Sequence, residues 1–348
     1  MFIIDKQSKD YDHHALSENS RRHANLLPTI SGAHMTAFHQ SASALTGRSD
    51  PEDGASAKRA FNLIQNEATR AILGFACEAG VRRNKGRTGA KEAPDAIRRA
   101  LAGLAAPKDF APICDLGNIV VDDDALEEGQ SLLAGYISEA LPNHDRIIVL
   151  GGGHETAFAS YSGLRAAHPD AAIGIINLDA HLDLRNLGDA GASSGTPFNQ
   201  IYHLNPKAFD YLCLGVADES NTQALFARAR DWNVNIVSDK SLNTDPYAAN
   251  AQIQAIASRS DIIYLTIDID LMPHYQAPGV SAPAARGVSF STVEIIIAQV
   301  LSACAKHNAD LPLADIVEVS PPHDIDNMTA KSAAILALSL LNSSAHGA

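Results

Sequence analysis

The chain is short of aromatic residues, which make up 5% of its 348 positions, with Trp232 the single tryptophan. Ala, Ile, Leu and Val must therefore fill most of the interior. It also lacks a basic excess: 27 Lys and Arg stand against 40 Asp and Glu, a formal charge of −13. That balance argues against nucleic acid and against an anionic membrane as partner, since each needs a basic face. No run approaches the roughly 20 apolar residues of a membrane helix. The opening MFIIDKQSKDYDHH has no basic-then-apolar-then-small signal pattern. Cysteine is sparse too. Cys77, Cys114, Cys213 and Cys304 are scattered without a C-x-x-C pair, which reads as reduced, buried thiols in a cytoplasmic protein.

What is present suits a packed globular core: 46% apolar and 19% charged residues. Residues 1–55 are polar and without sustained periodicity. Their histidines (His13, His14, His23, His34 and His39) have irregular spacing and no ligand motif, so the stretch is expected to be a flexible N-terminal extension. Within it, Gly32 to Met35 has the look of an added segment, with Met35 a candidate start. Residues 56–348 are expected to form one domain.

From about residue 70 apolar runs of strand length recur: Ala71–Phe75, Arg146–Leu150, Ala172–Asn177, Tyr211–Val216, Val234–Val237, Ile262–Ile269 and Ile316–Val319. Helical patterns lie among them at Ala93–Leu104, Ala125–Leu141, Thr222–Trp232, Thr292–His307 and Thr329–Leu341. Continuous apolar strands alternating with helices predict an α/β fold with a doubly wound, mostly parallel sheet.

Four of these strands end in polar clusters. Arg146–Leu150 runs into Gly151-Gly152-Gly153-His154-Glu155, and Ala172–Asn177 into Asp179-Ala180-His181-Leu182-Asp183. Ile262–Ile267 runs into Asp268-Ile269-Asp270, and Ile316–Val317 into Glu318. Open parallel sheets bind ligands outside the carboxyl ends of their strands, so each cluster sits where such a fold places its chemistry. Strand side chains alternate faces, so Asp268 and Asp270 can point the same way, as can Asp179 and His181. With Asp183 and His154 this makes four carboxylates and two imidazoles. Such a group cannot gather without cations, because mutual repulsion would protonate it or splay it open. Two divalent ions about 3.5–4 Å apart would satisfy it. An oxygen-dominated set with a minority of imidazole suits Mn2+ better than Zn2+, and Mg2+ is not expected to recruit two histidines.

These segments resemble the ureohydrolases, the arginase and agmatinase superfamily: GGGHE (151–155), LDAHLDLR (178–185), SSGTPF (193–198), TIDIDLMP (266–273) and DIVEVSPPHD (315–324). Within it the likeness is to the formimidoylglutamase branch, through GFACEAGVRRNKGRTGAKEAPDAIRRAL (74–101), APGVSAPAARGV (277–288) and DIDNMTAK (324–331). The resemblance implies a three-layer α/β/α arginase-like domain, a homo-oligomer, and two Mn2+ per subunit. One ion would be held by His154, Asp179, Asp183 and Asp268, the other by His181, Asp179, Asp268 and Asp270, with a bridging hydroxide. The implied reaction is hydrolysis of N-formimidoyl-L-glutamate to L-glutamate and formamide in histidine degradation. Glu318 would meet the amidinium end. Arg185, two residues beyond Asp183, and Arg286 are candidates for the substrate carboxylates, because a guanidinium fork suits bidentate recognition. Ser194 stands where arginases place a histidine; a hydroxyl does not titrate near neutrality, so Asp183 is the candidate proton carrier to the leaving nitrogen. The alternatives are hydrolysis of a guanidino acid, of arginine or of agmatine, a non-catalytic homologue, and a deacetylase-like zinc hydrolase of related fold.

Overall fold

The computed structural model describes residues 39–343. Residues 1–38, with four of the five N-terminal histidines and Met35, lie outside them. Each of the seven runs expected as strands forms one, because Ile, Leu and Val buried on both faces suit a parallel sheet.

Among the described residues one sheet has ten strands: β1 (His39–Gln40), β2 (Ile64–Gln65), β3 (Arg70–Ala76), β4 (Ile113–Val120), β5 (Arg146–Leu150), β6 (Ile173–Leu178), β7 (Asp210–Val216), β8 (Asn235–Ser238), β9 (Ile262–Asp268) and β10 (Asp310–Val317). Their order is β1-β4-β3-β5-β10-β9-β6-β7-β8, with β2 paired to β4. All pairings are parallel except that of β1. The chain winds outward in both directions from β3 and then returns, inserting β9 and β10 between β5 and β6. Four strands distant in sequence thereby become neighbours, and all four end in the expected polar clusters.

The helices are α1 (Ala79–Arg83), α2 (Ala93–Ala102), α3 (Leu126–Ala140), α4 (Thr156–Ala167), α5 (Pro197–Leu204), α6 (Gln223–Asp231), α7 (Asp239–Thr244), α8 (Asn250–Ala257), α9 (Phe290–His307) and α10 (Met328–Asn342). Strand alternation divides the core in two. Ile72, Ile148, Ile176 and Leu265 pack with α2, α8, α9 and α10; Leu73, Ile147, Ile175 and Tyr264 pack with α3, α4, α5 and α6. Three α/β/α layers result, as expected.

β4 escaped sequence reading because Asp115, Gly117 and Asn118 interrupt its apolar run. Gly117 takes φ +79°, and the pairing with β3 shifts register there. β10 begins six residues earlier than expected. Pro312 would ordinarily argue against a central strand, but it falls where the pairing with β9 shifts register, between Asp310 and Leu313. The end of the expected N-terminal extension is attached to the sheet: β1 pairs with Ile119 and Asn118, and His39 Nε2 meets the Leu116 carbonyl at 2.8 Å.

Candidate metal centre

The loop after β5 is shaped by glycine. A Cβ on Gly152 would stand 1.7 Å from the Cys77 carbonyl oxygen, so no other residue fits without moving backbone. This close approach lets Gly153 N–H donate to the Cys77 carbonyl at 3.2 Å and delivers His154 to the sheet's rim. There His154 N–H donates to Glu318 Oε1 at 2.8 Å, and its ring Nε2 meets Thr266 Oγ1 at 3.1 Å. The other ring nitrogen, Nδ1, faces Asp183 Oδ2 at 3.0 Å, Asp179 Oδ2 at 3.1 Å and Asp268 Oδ2 at 3.2 Å.

Asp179 continues β6 and serves two clusters at once. Its Oδ1 accepts the His181 N–H at 2.7 Å and lies 3.4 Å from His181 Nδ1, which is itself 3.4 Å from Asp270 Oδ2. Donor atoms of His154, Asp179, Asp183 and Asp268 lie within 4.8 Å of one another, as do those of Asp179, His181 and Asp270. All six expected ligands are thus brought together. Asp268 groups with the first cluster, and its Oδ1 accepts the Asp270 N–H at 2.9 Å. Two non-glycine residues of the site take left-handed backbone, Asp183 at φ +47° and Glu318 at φ +66°. Such strain concentrates at functional sites.

Burial alone would lower the His154 pKa, but Asp179, Asp183 and Asp268 raise it well above the ordinary histidine value. His181 is raised likewise, by Asp270 and Asp179 against burial. Burial, then Asp270 and Asp179, push Asp268 well up. Despite burial, the two imidazoles hold Asp179 below the usual carboxylate range. Yet hydrogen bonding does not complete the site: His154 Nδ1 and Asp270 Oδ1 are buried without a partner. Three carboxylate oxygens aimed at one bare nitrogen suit a cation between them, so the residues fit a divalent metal. His181 is the partly exposed ligand, so the second cluster is the one that opens to solvent.

The rim holds residues that sequence reasoning missed. Asn84, at the end of α1, donates Nδ2–H to Ser194 Oγ at 3.1 Å. Arg185 passes over Gly195, where a Cβ would stand 2.8 Å from its Cδ and 3.3 Å from Asn84 Nδ2. The Asn84 amide, the Ser194 hydroxyl and the exposed Arg185 thus cluster around Gly195. Arg286 does not join them: its guanidinium is engaged by Asp239 at 2.6 Å and Glu219 at 2.7 Å. Glu155 is fully buried beneath the loop, accepting the Gly80 N–H at 2.9 Å, and burial pushes its carboxyl up to about 7. Asn84 lies inside the 74–101 segment that carries the resemblance, but its polar, irregular neighbours give no periodicity that would single it out.

Comparison with known proteins agrees with this geometry. The family model described as the Arginase family matches residues 68–342. The chain belongs to the arginase family. A formimidoylglutamase of Vibrio parahaemolyticus is 49% identical over 331 residues, covering 88% of this chain and 96% of that protein. One of Chromobacterium violaceum is 43% identical, covering 85% and 96%. Among solved structures, formimidoylglutamase from Bacillus subtilis superposes with a TM-score of 0.71 at 24% identity, over 89% of this chain and 98% of that one. Trypanosoma cruzi formiminoglutamase with Mn2+ gives 0.67 at 24% identity, over 82% and 95%. At that identity the structures speak for the fold. Proteins of the arginase family bind a binuclear metal site, which the paired His/Asp clusters fit, and the enzyme class is metal-dependent amidinohydrolase.

Proposed function

We propose that the chain hydrolyses N-formimidoyl-L-glutamate to L-glutamate and formamide, in histidine degradation, with two Mn2+ per subunit. The observation that carries the chemistry is the pair of clusters sharing Asp179. The substrate is supported by the names of its relatives at 43–49% identity. When bound, the two cations supply the positive charge that acidifies a water toward neutrality.

The chain's own residues do the rest. His154, Asp179, Asp183 and Asp268 would hold one ion; His181, Asp179 and Asp270 would hold the other. Glu318, fixed through Oε1 to the His154 N–H, offers its second oxygen to the amidinium and so aims the electrophilic carbon. Arg185, with the Asn84 amide and Ser194 hydroxyl beside it, binds a substrate carboxylate. Asp183, raised by burial and by Asp179, takes the proton of the attacking water and passes it to the leaving nitrogen. Water adds to the formimidoyl carbon and the C–N bond to glutamate breaks, so all atoms are accounted for in formamide and glutamate.

Arg286, with both guanidinium edges engaged by acids, is proposed only as a brace of the loop after Asp270. The four cysteines are unpaired and buried, which supports a cytoplasmic setting. No helix among the described residues is long and apolar enough to cross a membrane. Assembly with further copies of the chain is part of the proposal; exposed Ile325, Met328 and Tyr275 supply apolar surface for it. The deciding experiment loads the full chain with Mn2+ and compares glutamate release from N-formimidoyl-L-glutamate with urea release from guanidino acids, arginine and agmatine. Glutamate release is expected; faster urea release would move the substrate to a guanidino compound.

A further inference from the structure

One rung below the metal ligands a second polar row crosses the sheet. Cys213, Asn177, Thr266 and Asp315 are consecutive cross-strand partners on β7, β6, β9 and β10. All four are fully buried. Asn177 and Thr266 each stand two residues before a metal carboxylate, so each lies on the same face directly beneath it. Asn177 uses its amide on Asp179 Oδ2 at 3.0 Å and on Tyr211 Oη at 2.9 Å. Asp315 has no such evident role. The Tyr264 hydroxyl donates to its Oδ2, while Oδ1 is buried without a formed hydrogen bond. A carboxylate placed there is costly unless it orders something.

We infer that Asp315 is a positioning residue for the metal centre: through the Thr266 hydroxyl it decides which nitrogen of His154 carries the proton. The Thr266 and Ser160 hydroxyls both lie beside the Asp315 carboxyl, whose Oδ1 holds no other partner. An ionised carboxylate only accepts, and in this assignment the Thr266 O–H, across the strand pair, is the donor to Oδ1. The Thr266 oxygen is then left with lone pairs toward His154 Nε2, 3.1 Å away, and accepts its N–H. In the neutral ring Nδ1 is thereby the nitrogen left without hydrogen, facing the Asp179, Asp183 and Asp268 oxygens where a cation would sit. Second-sphere partners of metal histidines act in this manner and are worth about 10–100-fold in metal affinity. The inference rests on the binuclear reading above, and extends it to residues outside both clusters.

Asp315→Asn tests it in the full chain. With Tyr264 donating to the amide oxygen, the amide N–H would face Thr266, reverse the hydroxyl and place hydrogen on Nδ1. Manganese titration by calorimetry, with Mn2+ electron paramagnetic resonance alongside, is expected to show the His154 site weakened about 10–100-fold. The His181 site should keep its affinity, so a mononuclear spectrum replaces the spin-coupled pair at one equivalent excess. Thr266→Val should give the same selective loss, Thr266→Ser should restore wild-type binding, and Asp315→Asn with Thr266→Val should lose no more than Thr266→Val alone. A purely structural role would weaken both sites together and leave their ratio unchanged; that result, or unaltered binding in both variants, overturns the inference. Should Asp315→Asn fail to fold, the Thr266 pair decides alone. Two manganese ions bound by wild type with no selective loss in the variants would sink this inference while leaving the binuclear reading intact; no manganese bound by wild type would sink both.

Discussion

Glu318 Oε1 accepts the backbone N–H of His154 at 2.8 Å, joining the acid proposed for the substrate's cationic end to the loop that presents a metal ligand. The return bond, Glu318 N–H to the Gly152 carbonyl at 2.8 Å, makes the connection two-stranded. Substrate and metal are thus referred to one rigid piece of backbone. Burial, then Glu155 and Asp270, push the Glu318 carboxyl well above its ordinary value, so a cation beside it is needed to hold it charged. Glu318→Gln keeps the acceptor for His154 but loses the charge. We expect full manganese content with kcat/KM lowered by about 10- to 100-fold, the worth of a charged hydrogen bond. Steady-state kinetics beside metal analysis would check this.

Asp179 is the residue common to both clusters, so on the proposed reading Asp179→Ala should remove both ions together and reduce turnover below about a thousandth. Metal retained at one equivalent per chain would contradict the shared role.

Manganese affinity should rise with pH. In the metal-free protein the surrounding carboxylates raise the pKa values of His154 and His181, so protons compete with an entering cation for the imidazoles. The same protons stabilise the metal-free fold below the ordinary histidine pKa of 6.5, a contribution lost as pH rises through the raised values. Calorimetry in buffers of differing ionisation enthalpy should therefore register proton release on binding, and metal-free thermal stability should fall toward alkaline pH.

Arg185→Ala should raise KM about 10-fold or more while kcat changes little, since a guanidinium–carboxylate contact formed equally in ground and transition states acts on binding. Asn84→Ala is expected to act in the same direction and more weakly. A fall in kcat at unchanged KM would place Arg185 elsewhere in the chemistry.

Gly152→Ala is a stability prediction. The new Cβ meets the Cys77 carbonyl at 1.7 Å, which is backbone and cannot rotate away. A loss of about 1–3 kcal/mol, typical of overpacking, is expected in thermal or urea unfolding of the metal-free chain.

Sequence alone determined the layers and the central strands and pointed to the six candidate ligands that the fold gathers, because buried parallel strands are written as continuous Ile, Leu and Val runs, and the candidates follow them at fixed short spacings. It could not determine neighbours. That β9 and β10 slip between β5 and β6 is decided by packing, and only this places Thr266 beside Asp315 and Glu318 beside His154, 164 residues apart. β4 with its Gly117 and β10 with its Pro312 broke the local rules, since register shifts absorb in three dimensions what reads as interruption in one. The pairing of Arg286 with Asp239 and Glu219, and the meeting of Asn84 with Ser194, belong to the same class. Contacts between distant loops leave no period in a sequence, and their partners are chosen only when the sheet has been ordered.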